Sequence, residues 1–235
     1  MSPTKDLKPL EKRLGVTFTN PDTLRQSLTH RSYLNENPGF SLDHNERLEF
    51  LGDAVLELVV TDHLYSTYQL PEGELTNLRS AIVRGEMLSK IAGELELEDY
   101  LLLSRGERKD TGKARQYILA NAVEAVIGAI YLDQGYEQAK KLIDTYIVSK
   151  LEEVVSKGLH VDAKSRFQEI AQERFRVTPV YKVIQESGLD HEKQFIIGAF
   201  LNDKLIGEGS GSSKQEAQQA AAREALNNIG SIKSV

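Results

Sequence analysis

No cysteine occurs anywhere in the 235 residues, which excludes a disulfide framework, a zinc–thiolate centre and a thiol nucleophile. That absence fits a reducing compartment. Long hydrophobic runs are missing too, and none approaches the roughly 18 residues that a membrane span requires. The opening stretch, MSPTKDLKPLEKRLG, is charged and has no apolar segment of the kind a secretory signal carries. Together these absences predict a soluble, cytoplasmic protein with no membrane association. Excess positive charge is lacking as well: the formal net charge is −6. Dividing the chain after Val161 leaves −6 in the first part and 0 in the second. A polyanionic partner favours a basic surface, so composition alone does not suggest nucleic acid. Any such function must come from how residues are arranged.

What is present is ordinary globular material, 40% apolar and 27% charged, with room for one large or two modest domains. From Leu7 to Lys157 the apolar spacing is helical. It predicts helices over Leu7–Leu14, Pro21–Thr29, Asp43–Tyr68, Glu74–Leu95, Arg115–Asp133 and Tyr136–Ser156. Asn20-Pro21 is a helix-start signal. The polar segment Leu103–Ala114 reads as an exposed loop. After a short linker at 158–161 the pattern becomes helix, strands, helix. Val180–Glu186, Lys193–Leu201 and Lys204–Glu208 read as strands, with Asn202-Asp203 as a hairpin turn. A glycine-rich turn then leads into an alanine-rich helix. The expected architecture is an all-α domain over 1–157 followed by a small α-β-β-β-α domain over 162–230.

The segment His44–Tyr65 carries the most chemistry. With about 100° per residue and Glu46 at zero, Glu49 falls near 300° and Asp53 near 340°. Three carboxylates thus share a narrow face, and Leu48, Leu51, Val55, Leu58 and Val59 form an apolar stripe opposite. Like charges at these spacings repel unless a cation sits among them, and crowded hard oxygens suit Mg²⁺ or Mn²⁺. In the helix around Ile118–Asp133, Asn121 and Glu124 share a second face. Gly128 and the alanines at 122, 125 and 129 permit close approach of another backbone. A solvated acidic face explains the same spacing, and Glu57, almost in line with Glu46, shows how easily an acid falls there. A di-iron bundle is excluded because His44 and His63 do not form Glu-x-x-His pairs. Phe50 projects on the carboxylate side, so either its own chain or a partner covers it.

The string ERLEFLGDAVL resembles the signature of the ribonuclease III family. LTHRSY (28–33), PEGELTNLRSAIVRGEML (71–88) and ILANAVEAVIGAIYLDQG (118–135) support the resemblance, in the family's order. The second domain is similar to a double-stranded RNA-binding domain through DAKSRFQEIAQ, PVYKV, GLDHEKQF and GEGSGSSKQEAQQAAAREAL. The resemblance implies a homodimeric endonuclease that cuts double-stranded RNA by Mg²⁺-dependent hydrolysis (Mn²⁺ able to substitute), with no organic cofactor. It implies 5′-phosphate and 3′-hydroxyl ends, short 3′ overhangs and a part in processing ribosomal and messenger RNA precursors. It makes Glu49, Asp53, Asn121 and Glu124 the metal ligands, with Asp53 and Glu124 catalytic. Glu46 and Glu72 would line the same valley, and Phe50 would enter a socket on the second subunit. Gln168, Glu169, His191, Ser212, Ser213 and Lys214 would contact RNA, and His30 and Arg31 would be structural.

Two departures from the family pattern matter. Asn121 stands where aspartate is usual. It keeps an oxygen donor but loses the charge, and a tolerated variant, an engineered knock-down and a degenerate nuclease are all compatible with it. The resulting expectation is an active enzyme with a raised Mg²⁺ requirement, the alternative being a double-stranded RNA binder that has lost its catalysis. Gln215 replaces a second lysine after Lys214, which predicts modest RNA affinity for the second domain.

Overall fold

The structure is a computed structural model that describes residues 5–156, 158, 162–188 and 193–231. The chain divides into two compact units, Met1–His160 and Val161–Val235. Of the linker expected at 158–161, only Gly158 lies within the described residues.

The first unit is helical: α1 (Lys8–Leu14), α2 (Pro21–Ser27), α3 (Arg31–Glu36), α4 (Glu46–Thr67), α5 (Glu72–Val83), α6 (Gly85–Glu94), α7 (Lys113–Gln134), α8 (Tyr136–Tyr146) and α9 (Leu151–Ser156). Helix α7 is its centre, with Ile118, Leu119, Val123, Val126, Ile127 and Ile130 all buried. A helix apolar on nearly all sides belongs inside a bundle.

The expected Glu74–Leu95 helix is two helices. Arg84 is extended, with φ −61° and ψ 147°, and Gly85 opens the next turn. The break lets Leu78 and Ile82 on one side, and Leu88 and Ile91 on the other, all reach the core. The expected Tyr136–Ser156 helix also breaks, at the fully buried Ile147, where a short 3-10 turn over Val148–Lys150 redirects the chain. Sequence periodicity missed α3 altogether, and the loop after Leu103 contains a 3-10 turn at Glu107–Lys109.

The second unit runs α10 (Ala163–Phe175), β1 (Val180–Ser187), β2 (Gln194–Leu201), β3 (Lys204–Gly211) and α11 (Lys214–Asn228). Its three strands form an antiparallel sheet in the order β1-β2-β3. Asn202 turns the β2–β3 hairpin at φ 53°, a conformation asparagine tolerates better than most residues. The strand expected over Lys204–Glu208 runs on through part of the glycine-rich segment expected as a turn, to Gly211. Gly207, Gly209 and Gly211 alternate onto one face, where added Cβ atoms would lie 2.4, 2.1 and 2.6 Å from backbone nitrogens of Ala225, Ala221 and Ala217. Glycine there lets α11 lie directly on the sheet, and the small buried face Ala217, Ala221, Ala222 and Ala225 completes the fit.

Candidate active site

The acidic segment begins from a clamp. Thr29 forms a parallel bridge with Leu102, and the His30 N–H donates to the Leu102 carbonyl at 3.0 Å. Nδ1 of His30 accepts from the Ser32 backbone N–H at 3.3 Å, capping α3. Burial holds the His30 pKa below its ordinary value, which keeps that ring nitrogen available as an acceptor. The buried Asn45 donates from its backbone to Thr29 at 2.9 Å and from its side chain to Ser27 at 3.3 Å. Helix α4 therefore starts from a fixed point, and Glu46, Glu49 and Asp53 follow from it at helical spacing.

Helices α4 and α7 then cross at glycines. A Cβ on Gly52 would sit 1.7 Å from the Glu124 carbonyl oxygen, and one on Gly128 would sit 2.2 Å from that of Leu48. No side chain fits between the two backbones at this point, so Glu49, Asp53 and Glu124 are drawn to one crossing. The buried arc of α4 is Leu48, Gly52, Val55, Leu56, Val59, Val60 and Leu64. This corrects the expected stripe, since Leu58 is 58% exposed. On the same angular scale the buried arc centres near 250°. The carboxylates at about 300° and 340° thus lie on its edge, beside α7, rather than opposite it.

The electrostatics follow from that position. Burial pushes the Glu124 carboxyl up to about 7, reinforced by repulsion from Asp53, Glu49 and Glu57. Burial also raises Glu49, with Glu46 and Asp53 adding to the effect, while a hydrogen bond from Asn121 opposes it. Asn121 thus replaces what would be a further negative charge with a donor to Glu49. Among the described residues no three His, Asp or Glu side chains close around a metal-sized position. A cation would have to draw the carboxylates inward against their mutual repulsion. The donor set nevertheless fits a hard divalent ion: Glu49, Asp53, Glu124 and the Asn121 amide all offer oxygen.

The remaining residues of the expected site are placed unevenly. Glu46 adjoins Glu49 electrostatically and pairs with Arg31 at 3.5 Å. Glu72 stands at the first turn of α5, in a groove of about 420 Å³ lined with Leu64, Tyr65, Leu70, Leu75 and Arg79. It is not among the charges that act on Glu124. Phe50 is 80% exposed, so no described residue covers it. Glu57, which sequence reasoning set aside as a solubilising acid, does act on Glu124 and pairs with Arg79 at 2.9 Å.

In the second unit Gln168 and Glu169 are exposed on α10. Asp162 caps that helix, accepting from the Lys164 and Ser165 backbones and from the side chain of Gln219 on α11. Burial would raise its pKa, but the bonds from Gln219 and Ser165 overcome that and hold it low. Ser213 caps α11 by accepting from the Glu216 N–H at 3.2 Å. The Glu216 carboxylate in turn takes both the N–H and the hydroxyl of Ser212 at 2.8 Å. A negative charge therefore already sits at the helix end that was expected to meet phosphate. Lys214 is exposed, with Nζ 5.7 Å from the Phe195 ring centroid. His191 lies outside the described residues.

Comparison with known proteins matches this arrangement over both units. Residues 20–151 match the family described as Ribonuclease-III-like, and residues 163–229 match the double-stranded RNA binding motif. The chain is 45% identical over 222 residues to Ribonuclease 3 of Dehalococcoides mccartyi, covering 94% of each chain. It is 46% identical over 223 residues to Ribonuclease 3 of Carboxydothermus hydrogenoformans, covering 94% of this chain and 95% of that one. The chain belongs to the ribonuclease III family. The solved nuclease domain of the Campylobacter jejuni ribonuclease III superposes with a TM-score of 0.56 at 40% identity, covering 61% of this chain and 97% of that one. As a ribonuclease III, the protein is a nuclease with a helical endonuclease domain and a duplex-RNA-binding domain of mixed α and β structure. No helix among its described residues is long and apolar enough to cross a membrane. Within that family frame Gly52 is the functional residue sequence reasoning missed. Its signal was available, as the only glycine in the run ERLEFLGDAVLELVV, one position before Asp53.

Proposed function

We propose that this ribonuclease III is a Mg²⁺-dependent homodimer that hydrolyses both strands of duplex RNA, leaving 5′-phosphate and 3′-hydroxyl ends with short 3′ overhangs. The observation that carries this reading is the glycine crossing of α4 and α7, which holds Glu49, Asp53 and Glu124 together despite their repulsion. A fold keeps uncompensated carboxylates at a packing edge when a cation is to neutralise them. Glu49, Asp53, Glu124 and the Asn121 oxygen would hold that ion, Mg²⁺ or in its place Mn²⁺. When bound, it supplies Lewis-acid polarisation of the phosphate and an acidified water. Asp53 and Glu124 act as the catalytic carboxylates, and Glu49 keeps its orientation through the Asn121 hydrogen bond. With one charge fewer, the site needs more Mg²⁺ than an all-carboxylate one.

Pairing of two copies rests on α4. Phe50, Leu58 and Tyr65 are 80%, 58% and 76% exposed and, with Ala54 and Thr61, line one face of the helix. An exposed apolar stripe of this length marks an interface. The groove beside Tyr65 and Leu70 is the receptacle for Phe50 of the second copy. Because Glu72 lines that groove, Glu72 of the partner subunit would come beside Glu49 and Asp53, joining Glu46 in one acidic valley. The name of the Campylobacter jejuni structure likewise refers to a region involved in dimer formation.

RNA is held by the second unit through Gln168, Glu169, His191, Ser212, Ser213 and Lys214, which read duplex shape, 2′-hydroxyls and phosphates rather than base edges. Cytoplasmic precursors of ribosomal and messenger RNA are the natural substrates. A labelled duplex and the matching single strand, each incubated with Mg²⁺ or with EDTA, test the proposal. Cutting of the duplex alone, with Mg²⁺ alone, is expected. Duplex binding without cutting at any Mg²⁺ concentration would favour the alternative that Asn121 supports, an RNA binder without catalysis.

A further inference from the structure

The α7 helix has a second chemically distinctive position, on its other side. Arg115 lies nine residues before Glu124, about 13 Å along the helix and turned by about 180° from it. It therefore faces away from the acidic crossing. Its side chain is only 8% exposed. Nε and Nη2 both donate to Glu98, at 3.2 and 2.8 Å. Among the described residues Nη1 is buried with no hydrogen-bond partner. Buried guanidinium donors are ordinarily satisfied, and no described residue supplies the acceptor here.

Arg115 forms part of the wall of a cavity of about 450 Å³, within the size range of small-molecule sites. Arg25 and Arg108 also line it. Among the described residues Arg108 makes no ion pair through its side chain, and Arg25 makes only an exposed one with Asp22 at 3.4 Å. Tyr33 and Phe40 supply aromatic walls, packed edge to face at 5.3 Å between centroids, while the Tyr100 ring already carries Lys5 over it at 4.5 Å. Three arginines and Lys5 line this one cavity, against the acidic Glu98 and Asp99, in a chain of net charge −6. Guanidinium forks match phosphate oxygens, and aromatic walls bind the face of a nucleobase. The Glu98 carboxylate, still 61% exposed, remains able to accept from a base or ribose.

We propose that this cavity binds a free nucleoside 5′-monophosphate, with the phosphate toward Arg115, Arg25 and Arg108 and the base against Tyr33 and Phe40. It is a binding site separate from the acidic crossing, and its ligand has the chemistry of a terminal fragment of degraded RNA.

Calorimetric titration of the full chain tests this, in EDTA so that metal-mediated binding at the carboxylates does not contribute. The probes are the four nucleoside 5′-monophosphates, inorganic phosphate and uncharged nucleosides. Saturable binding of at least one monophosphate is expected, at least 10-fold tighter than phosphate or nucleoside alone. Arg108→Glu, at an exposed position, should weaken it at least 10-fold, whereas Glu124→Gln should leave it within 2-fold. Arg115→Lys should weaken it in protein whose circular dichroism is unchanged; if that variant does not fold, Arg25→Glu serves in its place. No heat up to millimolar nucleotide, equal affinity for inorganic phosphate, or binding lost in Glu124→Gln but kept in Arg108→Glu would each overturn the proposal.

Discussion

The two units use the same packing device for opposite electrostatic ends. In the first, Gly52 and Gly128 let two helices meet backbone to backbone, and the residues brought to the crossing are carboxylates that repel. In the second, Gly207, Gly209 and Gly211 let a helix meet a strand just as closely, and the residues brought together are alanines. The second contact is complete as it stands. The first leaves charge uncompensated, and this difference separates a packing site from a chemical one.

The sharpest way to break the comparison is to insert one methyl group at each crossing. Gly52→Ala places a Cβ inside the van der Waals radius of the Glu124 carbonyl. It should destabilise the nuclease unit by about 3 kcal/mol or more and abolish cleavage. Gly209→Ala should instead destabilise the second unit by a similar amount while sparing the melting of the first. Differential scanning calorimetry resolves the two transitions, and a single shared loss in both variants would mean that the units do not fold independently.

Next in size is Glu124→Gln. Cleavage should fall by a factor on the order of 10² or more, because the proposed cation ligand is lost. Metal-free stability should move the other way. The Glu124 pKa is raised, so its ionised form is disfavoured in the fold, and stability is lost as pH rises from the ordinary glutamate range through about 7. The glutamine variant escapes that loss. With solvent screening of a partly exposed group allowed for, the gain at pH 7.5 is about 1 kcal/mol, or roughly 2–4 °C in Tm. It should disappear near pH 4.5. A Tm gain of equal size at both pH values would remove the electrostatic explanation.

Asn121→Asp sharpens the same comparison in the opposite direction. It removes the donor to Glu49 and adds a charge, so cleavage should reach half-maximum at several-fold lower Mg²⁺ than in the parent. Metal-free protein at neutral pH should melt lower. Identical Mg²⁺ dependence would show that Asn121 is not a ligand.

The smallest effect belongs to the second unit. Glu216→Gln keeps a hydrogen-bond acceptor at the α11 N-terminus but removes the negative charge there. Duplex RNA affinity should rise several-fold at low salt, with the gain shrinking as salt screens it. Filter binding over a salt series measures this.

Legibility in the sequence followed locality. Helical periodicity was enough to put Glu49 with Asp53, and Asn121 with Glu124, because those relations lie within single helices. The rotation of the α4 buried face was not visible, since it depends on where α7 crosses, and so Leu58 was assigned to the wrong side. Neither helix break carried a proline; one pivots on the buried Ile147 and the other on an extended Arg84. Strand β3 was read as ending at Glu208 because the glycines that follow were weighed by propensity, although the spacing at 207, 209 and 211 has strand period. Glu72 is not among the charges that act on Glu124, so helical periodicity within one chain could not group it with the other acids, and its place there rests on the proposed pairing of two copies.

An anomalous difference map from crystals grown with Mn²⁺ decides whether the acidic crossing holds a metal ion. A peak is expected at the α4–α7 crossing, bonded to oxygens of Glu49, Asp53 and Glu124. A protein that cuts duplex RNA with Mn²⁺ yet shows its bound ion elsewhere, or none at that crossing, would contradict that expectation.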